Sequence, residues 1–221
     1  ERIADIPYVP ERVAEALRDL TVDGRVRGYF DLSIPIKGAA KIPTIATRVE
    51  VSEATVSVSA PSIRLERVDG EFVYEYPRGI TDGSLAARFE NQDILLDLNL
   101  DAADLGLSQK GFSIATSARL GGADVNRLLG VTVPDGLLEG SSAFDIVFQA
   151  GEGVALNVTS DLDGLAIGLP VPFSKAPEQR ESLEIDLRIS DAVTVGTTYS
   201  NNLSLSIAQD AEDAWRALVS I

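Results

Sequence analysis

Apolar and polar side chains alternate at every second position along most of this chain, from residue 26 to residue 207. Successive side chains of a β-strand point to opposite faces, so a period of two predicts strands with one apolar face and one polar face. In 94–100, for example, one face carries Ile94, Leu96, Leu98 and Leu100, which alternate with Asp97 and Asn99. The pattern predicts a mainly β, antiparallel protein.

Three short segments depart from this period and favour helices. Pro10–Leu20 has a proline near its start and apolar residues at helical spacing. A second helix is expected around Val125 and Leu129, and a third over Ala211–Val219, where Trp215 and Leu218 are three positions apart. We therefore expect two or three short helices beside the strands.

Asp-Gly dipeptides punctuate the strands and are typical of hairpin turns. They occur at 23–24, 69–70, 82–83, 135–136 and 163–164. A shift of about 112 positions superimposes a helix pattern, an Asp-Gly pair and a long strand on a second copy of the same series. The sequence thus favours two divergent repeats, with units at 1–106 and 107–221, over a coincidence of β patterning. Repetition of this kind suits an elongated sheet that grows by addition.

Composition excludes several classes of function. The net charge is −15, with 34 acidic and 19 basic residues, which argues against nucleic acid and against docking on anionic headgroups. The chain has no cysteine and no histidine, which removes thiolate chemistry, disulfides and the commonest general base and metal ligand. The chain contains no run of 18 apolar residues, so its sequence predicts no membrane span.

No group of residues predicts catalysis or a bound metal. Asp97, Asn99 and Asp101 copy the start of a calcium loop, but the residues between them are leucines in a strand pattern. Asp161 and Asp163 adjoin a turn and have no third partner, so turn formation explains them better than acid–base chemistry. Lys175 is expected to be a solvated loop lysine. We predict no catalytic residue, no metal and no cofactor.

The amount of one-sided apolar surface is the remaining signal. About a dozen predicted strands each place about three apolar side chains on one face, and burial contributes roughly 1.5–3 kcal/mol per side chain. Either the sheet packs on a second sheet as a sandwich, or it curls and its concave face holds an apolar ligand. The residues alone hardly separate these alternatives and lean towards the sandwich.

Three motifs, which together span residues 24–175, carry a resemblance to a known family. They are G-x-V-x-G-x-x-D-L-x-I-P-I at Gly24–Ile36, V-D-G-E-F-V-Y at Val68–Tyr74 followed by Gly79-Ile80, and S-D-L-x-G-L-x-x-x-L-P-x-P-x-x-K at Ser160–Lys175. In order and spacing they resemble the central region of the YhdP group, which belongs to the AsmA-like envelope proteins of Gram-negative bacteria. The resemblance implies a long, strongly curved, groove-forming sheet that carries lipid acyl chains between two membranes.

The expected function is therefore that of one segment of a periplasmic lipid-transfer bridge. The resemblance implies phospholipid acyl chains, adjoining segments of the same full-length protein and membranes at the ends of that protein as partners, without nucleic acid. It also implies an inner-membrane anchor outside the segment. The alternative is a structural or partner-binding β-sandwich domain of an envelope protein without lipid.

The expected lining of the groove is one apolar face of the strands. Its side chains are Val26, Phe30, Leu32, Ile34, Val56, Val58, Phe72, Tyr74, Leu96, Leu98, Phe144, Ile146, Phe148, Leu156 and Val158. Asp145 and Gln149 are expected on the opposite, water-facing side of their strand. Strands near 25–36 or 203–207 are expected to form exposed edges through which the protein self-associates.

Overall fold

A computed structural model describes ten stretches of the chain. They are residues 20–33, 44–58, 63–76, 79–99, 112–129, 132–150, 154–189, 192–200, 203–209 and 214–220. Within these residues the protein consists of thirteen strands and one helix. The strands are β1 (Leu20–Ser33), β2 (Thr44–Val58), β3 (Ile63–Tyr76), β4 (Gly79–Phe89), β5 (Gln92–Asn99), β6 (Phe112–Gly121), β7 (Leu138–Ala150), β8 (Val154–Ser160), β9 (Leu165–Ile167), β10 (Leu183–Ile189), β11 (Val193–Tyr199), β12 (Leu203–Gln209) and β13 (Trp215–Ser220), and the helix is α1 (Gly122–Leu129).

The described strands form one open antiparallel sheet. Its order follows the sequence from β1 to β8 and then continues through β10, β11, β12 and β13, while β9 pairs with β7 outside this order. The predicted mainly β, antiparallel fold is therefore confirmed. The strands fall into two compact units, which are described separately below. Unit 1 comprises Glu1–Ser57, Arg64–Ala115 and Gln149–Glu152, and unit 2 comprises Val58–Ile63, Thr116–Phe148 and Gly153–Ile221. The division at residue 106 and the internal repeat stay predictions.

The helix prediction is correct at one of its three positions. Helix α1 covers the segment around Val125, and the Asp124 carboxylate in its first turn accepts a hydrogen bond from the backbone N–H of Gly121 at 2.8 Å. The C-terminal helix is wrong, since Trp215–Ser220 is strand β13, paired with β12 from Gln209↔Trp215 to Ser204↔Ser220. Pairing with a neighbouring strand overrides the helical spacing of Trp215 and Leu218. The first predicted helix lies outside the described residues except for Leu20, which begins β1.

Three of the five Asp-Gly pairs lie inside strands and do not form turns. Gly24 is in β1, Gly70 in β3 and Gly83 in β4, whereas the pairs at 135–136 and 163–164 are in turns as predicted. A Cβ at Gly83 would come within 2.6 Å of the Phe72 backbone, and one at Gly24 within 2.5 Å of the Ala54 backbone. Close approach of the neighbouring strand, which only glycine permits, accounts for these positions.

Among the described strands, β1 is outermost on one side of the sheet and β13 on the other. Strand β1 confirms the edge predicted near residues 25–36, and its side chains are exposed on both faces, with Phe30 79% exposed. The edge predicted at 203–207 is wrong, because those residues belong to β12, which pairs with both β11 and β13. Self-association through β1 stays a prediction.

Candidate functional site

The apolar face of unit 2 is a set of cross-strand rows that runs over β8 and β10 to β13. In an antiparallel sheet, residues that are directly opposite each other point to the same face, so the register fixes these rows. One row is Leu156–Leu187–Val195–Ile207–Ala217, and the next is Val158–Ile185–Thr197–Leu205–Val219. Nine of these ten side chains are apolar, so the strands present one continuous hydrocarbon surface.

The opposite face of the same strands is polar. Its rows are Asn157–Asp186–Gly196–Ser206–Leu218 and Thr159–Glu184–Thr198–Ser204–Ser220. The Asn157 side chain donates a hydrogen bond from Nδ2 to Oδ1 of Asp186 at 3.0 Å, which satisfies the two groups across the β8–β10 pair. The alternation seen in the sequence thus separates an apolar face from a polar face.

The apolar rows of unit 2 are only half-buried. Leu156, Leu187, Val195 and Ile207 all retain part of their surface, although β10 and β11 lie well inside the sheet. On inner strands of a sandwich, the facing sheet would bury such side chains fully. In unit 2, the described strands β8 and β10 to β13 lie side by side in one sheet. Among the described residues of unit 2, this apolar face therefore keeps part of its surface exposed.

The apolar face of unit 1 is packed much more tightly. The facing pairs Leu85↔Leu96 and Ala87↔Ile94 join β4 to β5 on this face, where Leu96 is 7% exposed. The register of the β3–β4 pair shifts between Glu66 and Asp69, so that Arg67 and Val68 both lie opposite β4. Arg67 has a φ of 50°, and Val68 is 1% exposed. The bulge adds one residue and so returns Val68 to the apolar face. This part of the sheet has the burial of a core.

Most of the predicted lining residues lie in strands, but they form separate groups. Leu96 and Leu98 are buried in unit 1, where Phe72 is half-buried and Tyr74 is exposed. Those in unit 2 lie on β7 and β8, where Phe144 is buried and the others are half-buried; the others are Ile146, Phe148, Leu156 and Val158. Those on β1 are exposed at the sheet edge; they are Val26, Phe30 and Leu32. Val56 is half-buried in β2, which ends at Val58, and Ile34 lies outside the described residues. Their contact with lipid stays a prediction.

The two polar residues assigned to the water-facing side of β7 behave differently. Asp145 is exposed and its Oδ1 accepts a hydrogen bond from the Ser117 hydroxyl, as expected on that side. Gln149, by contrast, is buried, so its predicted exposure is wrong. Gln149 belongs by its contacts to unit 1, whereas most of β7 belongs to unit 2, and a two-residue alternation carries no information about that change of surroundings.

The sequence reasoning missed part of the lining. Ile185, Leu187, Leu205 and Ile207 occupy the middle of the unit 2 face, and their alternation was visible in the sequence. Strand β11 was not predicted, because its segment VTVGTTY contains a glycine and three threonines. Val195 of this strand nevertheless completes one of the rows.

Lys175 is buried, which corrects the prediction of a solvated side chain. It is 3% exposed, and its Nζ donates to the backbone oxygens of Leu165 at 2.7 Å and Ala176 at 3.1 Å. Backbone hydrogen bonds in both directions also join Lys175 to Ile167, at 2.9 and 3.0 Å. A buried ammonium needs such acceptors, because burial without them is costly. The lysine thus fixes the base of the loop that follows β9.

Asp161 and Asp163 take part in surface ion pairs and a turn. Arg180 donates to Oδ2 of Asp163 at 3.0 Å and lies 3.7 Å from Oδ2 of Asp161. Oδ1 of Asp161 accepts from the backbone N–H of Asp163 at 3.1 Å, which is the turn interaction expected of this pair. Within the described residues, no cluster of three or more acidic side chains is arranged to hold a metal ion.

Comparison with known proteins identifies the family. The family model described as YhdP protein matches residues 9–217, which is nearly the whole chain. The chain belongs to the YhdP family. This assignment confirms the resemblance carried by the three motifs. No curated protein and no solved structure matches the chain.

Membership of the YhdP family indicates, in general terms, a lipid-transfer protein of the cell envelope. Within the described part of the chain, no helix is long and apolar enough to cross a membrane. The half-buried apolar face that strands β8 and β10 to β13 form in unit 2 is the candidate functional site.

Proposed function

We propose that this chain is a segment of a periplasmic lipid-transfer bridge, and that lipid acyl chains lie on the apolar face of unit 2. The observation that carries the proposal is the continuous apolar surface of β8 and β10 to β13, which is half-buried on strands inside the sheet. Family membership supports lipid as the ligand.

The physical basis is the match between the ligand and this surface. Removing an acyl chain from water stabilises it by roughly 0.8 kcal/mol per CH₂ group. Transfer from a bilayer to a surface of leucine, isoleucine and valine changes this free energy little, because both environments are hydrocarbon. A chain can therefore move along the rows without meeting a tight site. The function proposed here is carriage without a catalytic step.

The wider setting follows from the same proposal. The sheet curves so that its apolar face forms a groove, further segments of the full-length protein extend that groove, and membranes lie at its two ends. The cargo is phospholipid, which moves between the inner and outer membranes. The edges at β1 and β13 support this arrangement, because an open edge offers unpaired backbone groups to another strand.

A second candidate function rests on unit 1. Its apolar face between β4 and β5 is buried, as the core of a structural or partner-binding domain would be. In that case the face of unit 2 would be covered by another protein segment, without any lipid.

Photo-crosslinking from β7 distinguishes these functions. Ile146 is half-buried on the apolar face, and Asp145 is exposed on the opposite side of the same strand. A photoreactive amino acid at Ile146 should capture phospholipid in cells, and the matched variant at Asp145 should not. Crosslinks from Ile146 to protein alone would support the second candidate and contradict lipid carriage.

A further inference from the structure

The apolar face of unit 2 changes character from one end of its strands to the other. At one end the row across β8, β10 and β11 is Val154–Ile189–Val193, which is entirely aliphatic. At the other end the corresponding row is Ser160–Leu183–Tyr199–Leu203, which carries two hydroxyl groups. On β12 and β13, Gln209 opposite Trp215 is a polar exception at the aliphatic end. Across the inner strands, polarity therefore increases towards Ser160 and Tyr199.

A third hydroxyl, that of the fully buried Ser142, lies beneath this polar end. Oγ of Ser142 in β7 lies 3.3 Å from Oγ of Ser160, which places both on the same face. Oγ of Ser160 also donates to the backbone oxygen of Ala143 at 2.7 Å and accepts from the backbone N–H of Leu162 at 3.0 Å. These bonds fix the serines at the point where β8 ends.

The loop after β9 lies at this same end. The Tyr199 hydroxyl donates to the backbone oxygen of Phe173 in this loop at 3.5 Å. The backbone N–H of the next residue, Ser200, donates to the backbone oxygen of Ser182 at 2.8 Å. A hydrogen bond from Phe173 N–H to the Pro170 oxygen at 2.9 Å forms the tip of the loop. Buried Lys175 anchors its base, yet Val171 at the tip is 86% exposed. The loop whose Phe173 oxygen contacts the Tyr199 hydroxyl therefore also holds an apolar side chain in the open.

We propose that this end of unit 2 is the headgroup side of the lipid path. The inference rests on the proposed function, and it adds an orientation. The glycerol ester and headgroup lie at the row of Ser160 and Tyr199, with the loop Leu169–Phe173 alongside, and the acyl chains extend towards Val154, Ile189 and Val193. This orientation keeps the polar groups of the lipid near hydroxyls and water, since burying a polar group among aliphatic side chains without a hydrogen bond is costly.

Single cysteines test the orientation, because the chain has none of its own. Val171→Cys marks the proposed headgroup side, Ile189→Cys the acyl side, and Ser206→Cys is a control on the polar face. Val171 and Ile189 are both exposed, at 86% and 42%, so neither change disturbs a core. Each variant is incubated with phosphatidylethanolamine that carries a maleimide either on the headgroup or at the end of one acyl chain. Labelling is normalised to that by a water-soluble maleimide.

We expect the headgroup probe to prefer Val171→Cys over Ile189→Cys by roughly tenfold, and the acyl-end probe to show the reverse preference. Equal labelling of both sites by both probes, above the Ser206→Cys control, would overturn the orientation and leave lipid carriage intact. Reversed preferences would overturn it as well. No labelling above the control by either probe would overturn the proposed function together with the orientation.

Discussion

The apolar faces of the two units follow the same sequence pattern and differ in burial. In unit 1 the rows between β4 and β5 are buried, and in unit 2 the rows across β8, β10, β11 and β12 are half-buried. Alternation of apolar and polar residues determines which side chains share a face, but it does not determine what covers that face. We infer that the buried rows of unit 1 serve stability, while the half-buried rows of unit 2 keep an apolar surface accessible to a ligand beside that unit's own buried residues.

A charge placed on each face should produce the largest contrast. Leu96→Arg puts a guanidinium into the buried face of unit 1, where an unpaired charge destabilises the fold by several kcal/mol. Leu187→Arg should be tolerated far better, since the long side chain can reach water from a half-buried position. The free energy of unfolding in urea measures both effects.

The matched control is Leu95→Arg, on the opposite side of the same strand as Leu96. Leu95 is 53% exposed, so this change should leave the free energy of unfolding almost unaltered. Equal losses for Leu96→Arg and Leu187→Arg would show that the two faces are equally covered and would remove the basis of the comparison.

Truncating the same two leucines to alanine should rank the losses in the free energy of unfolding in the same order, with smaller values. Leu96→Ala should cost about 2–5 kcal/mol, the range for a leucine truncated in a packed core. Leu187→Ala should cost about 1–2 kcal/mol, because less of its surface leaves water on folding. Both losses in the free energy of unfolding are measured from the denaturant midpoints. The slope of that free energy against denaturant concentration should stay unchanged. A larger loss for Leu187→Ala than for Leu96→Ala would indicate a hidden layer over unit 2.

The base of the loop in unit 2 should be more sensitive than its exposed tip. Lys175→Met leaves the backbone oxygens of Leu165 and Ala176 without their donor and should cost about 1–3 kcal/mol. Val171→Ser, at the exposed tip, should be nearly neutral. Thermal unfolding of the two variants compares them, and an unchanged transition for Lys175→Met would contradict an anchoring role for this lysine.

The smallest expected effect concerns the pH dependence of Tyr199. Burial, together with the nearby Glu181 carboxylate, raises the pKa of Tyr199 above its usual value of 10.0. A raised pKa favours the neutral phenol in the folded state, so this contribution to stability is fully present below about pH 10 and is lost as the pH rises above it. Absorbance at alkaline pH should show one of the five tyrosines ionising late, and Tyr199→Phe should remove that late step. If the late ionisation step persists in Tyr199→Phe, it belongs to another tyrosine.

The sequence was sufficient to predict the strands and their faces where the alternation was strong. Examples are β5 and β10, in which leucine and isoleucine alternate with acidic residues along the strand. It failed where a neighbouring strand determines the local structure. Asp69-Gly70 has the preference of a turn, but Gly70 serves the close approach of Ser84, whose backbone oxygen lies 2.2 Å from a Cβ built at Gly70. Burial of Lys175 likewise depends on carbonyl groups that only the folded loop brings together.

The order of the strands also has a consequence for how the protein is made. From β1 to β8 every strand pairs with the one synthesised just before it. Each pairing therefore closes a short stretch of chain, and the entropy lost on closure is smaller than for distant segments. We expect the sheet to assemble progressively from its N-terminal edge as the chain is delivered, so that each newly added strand finds its neighbour already in place.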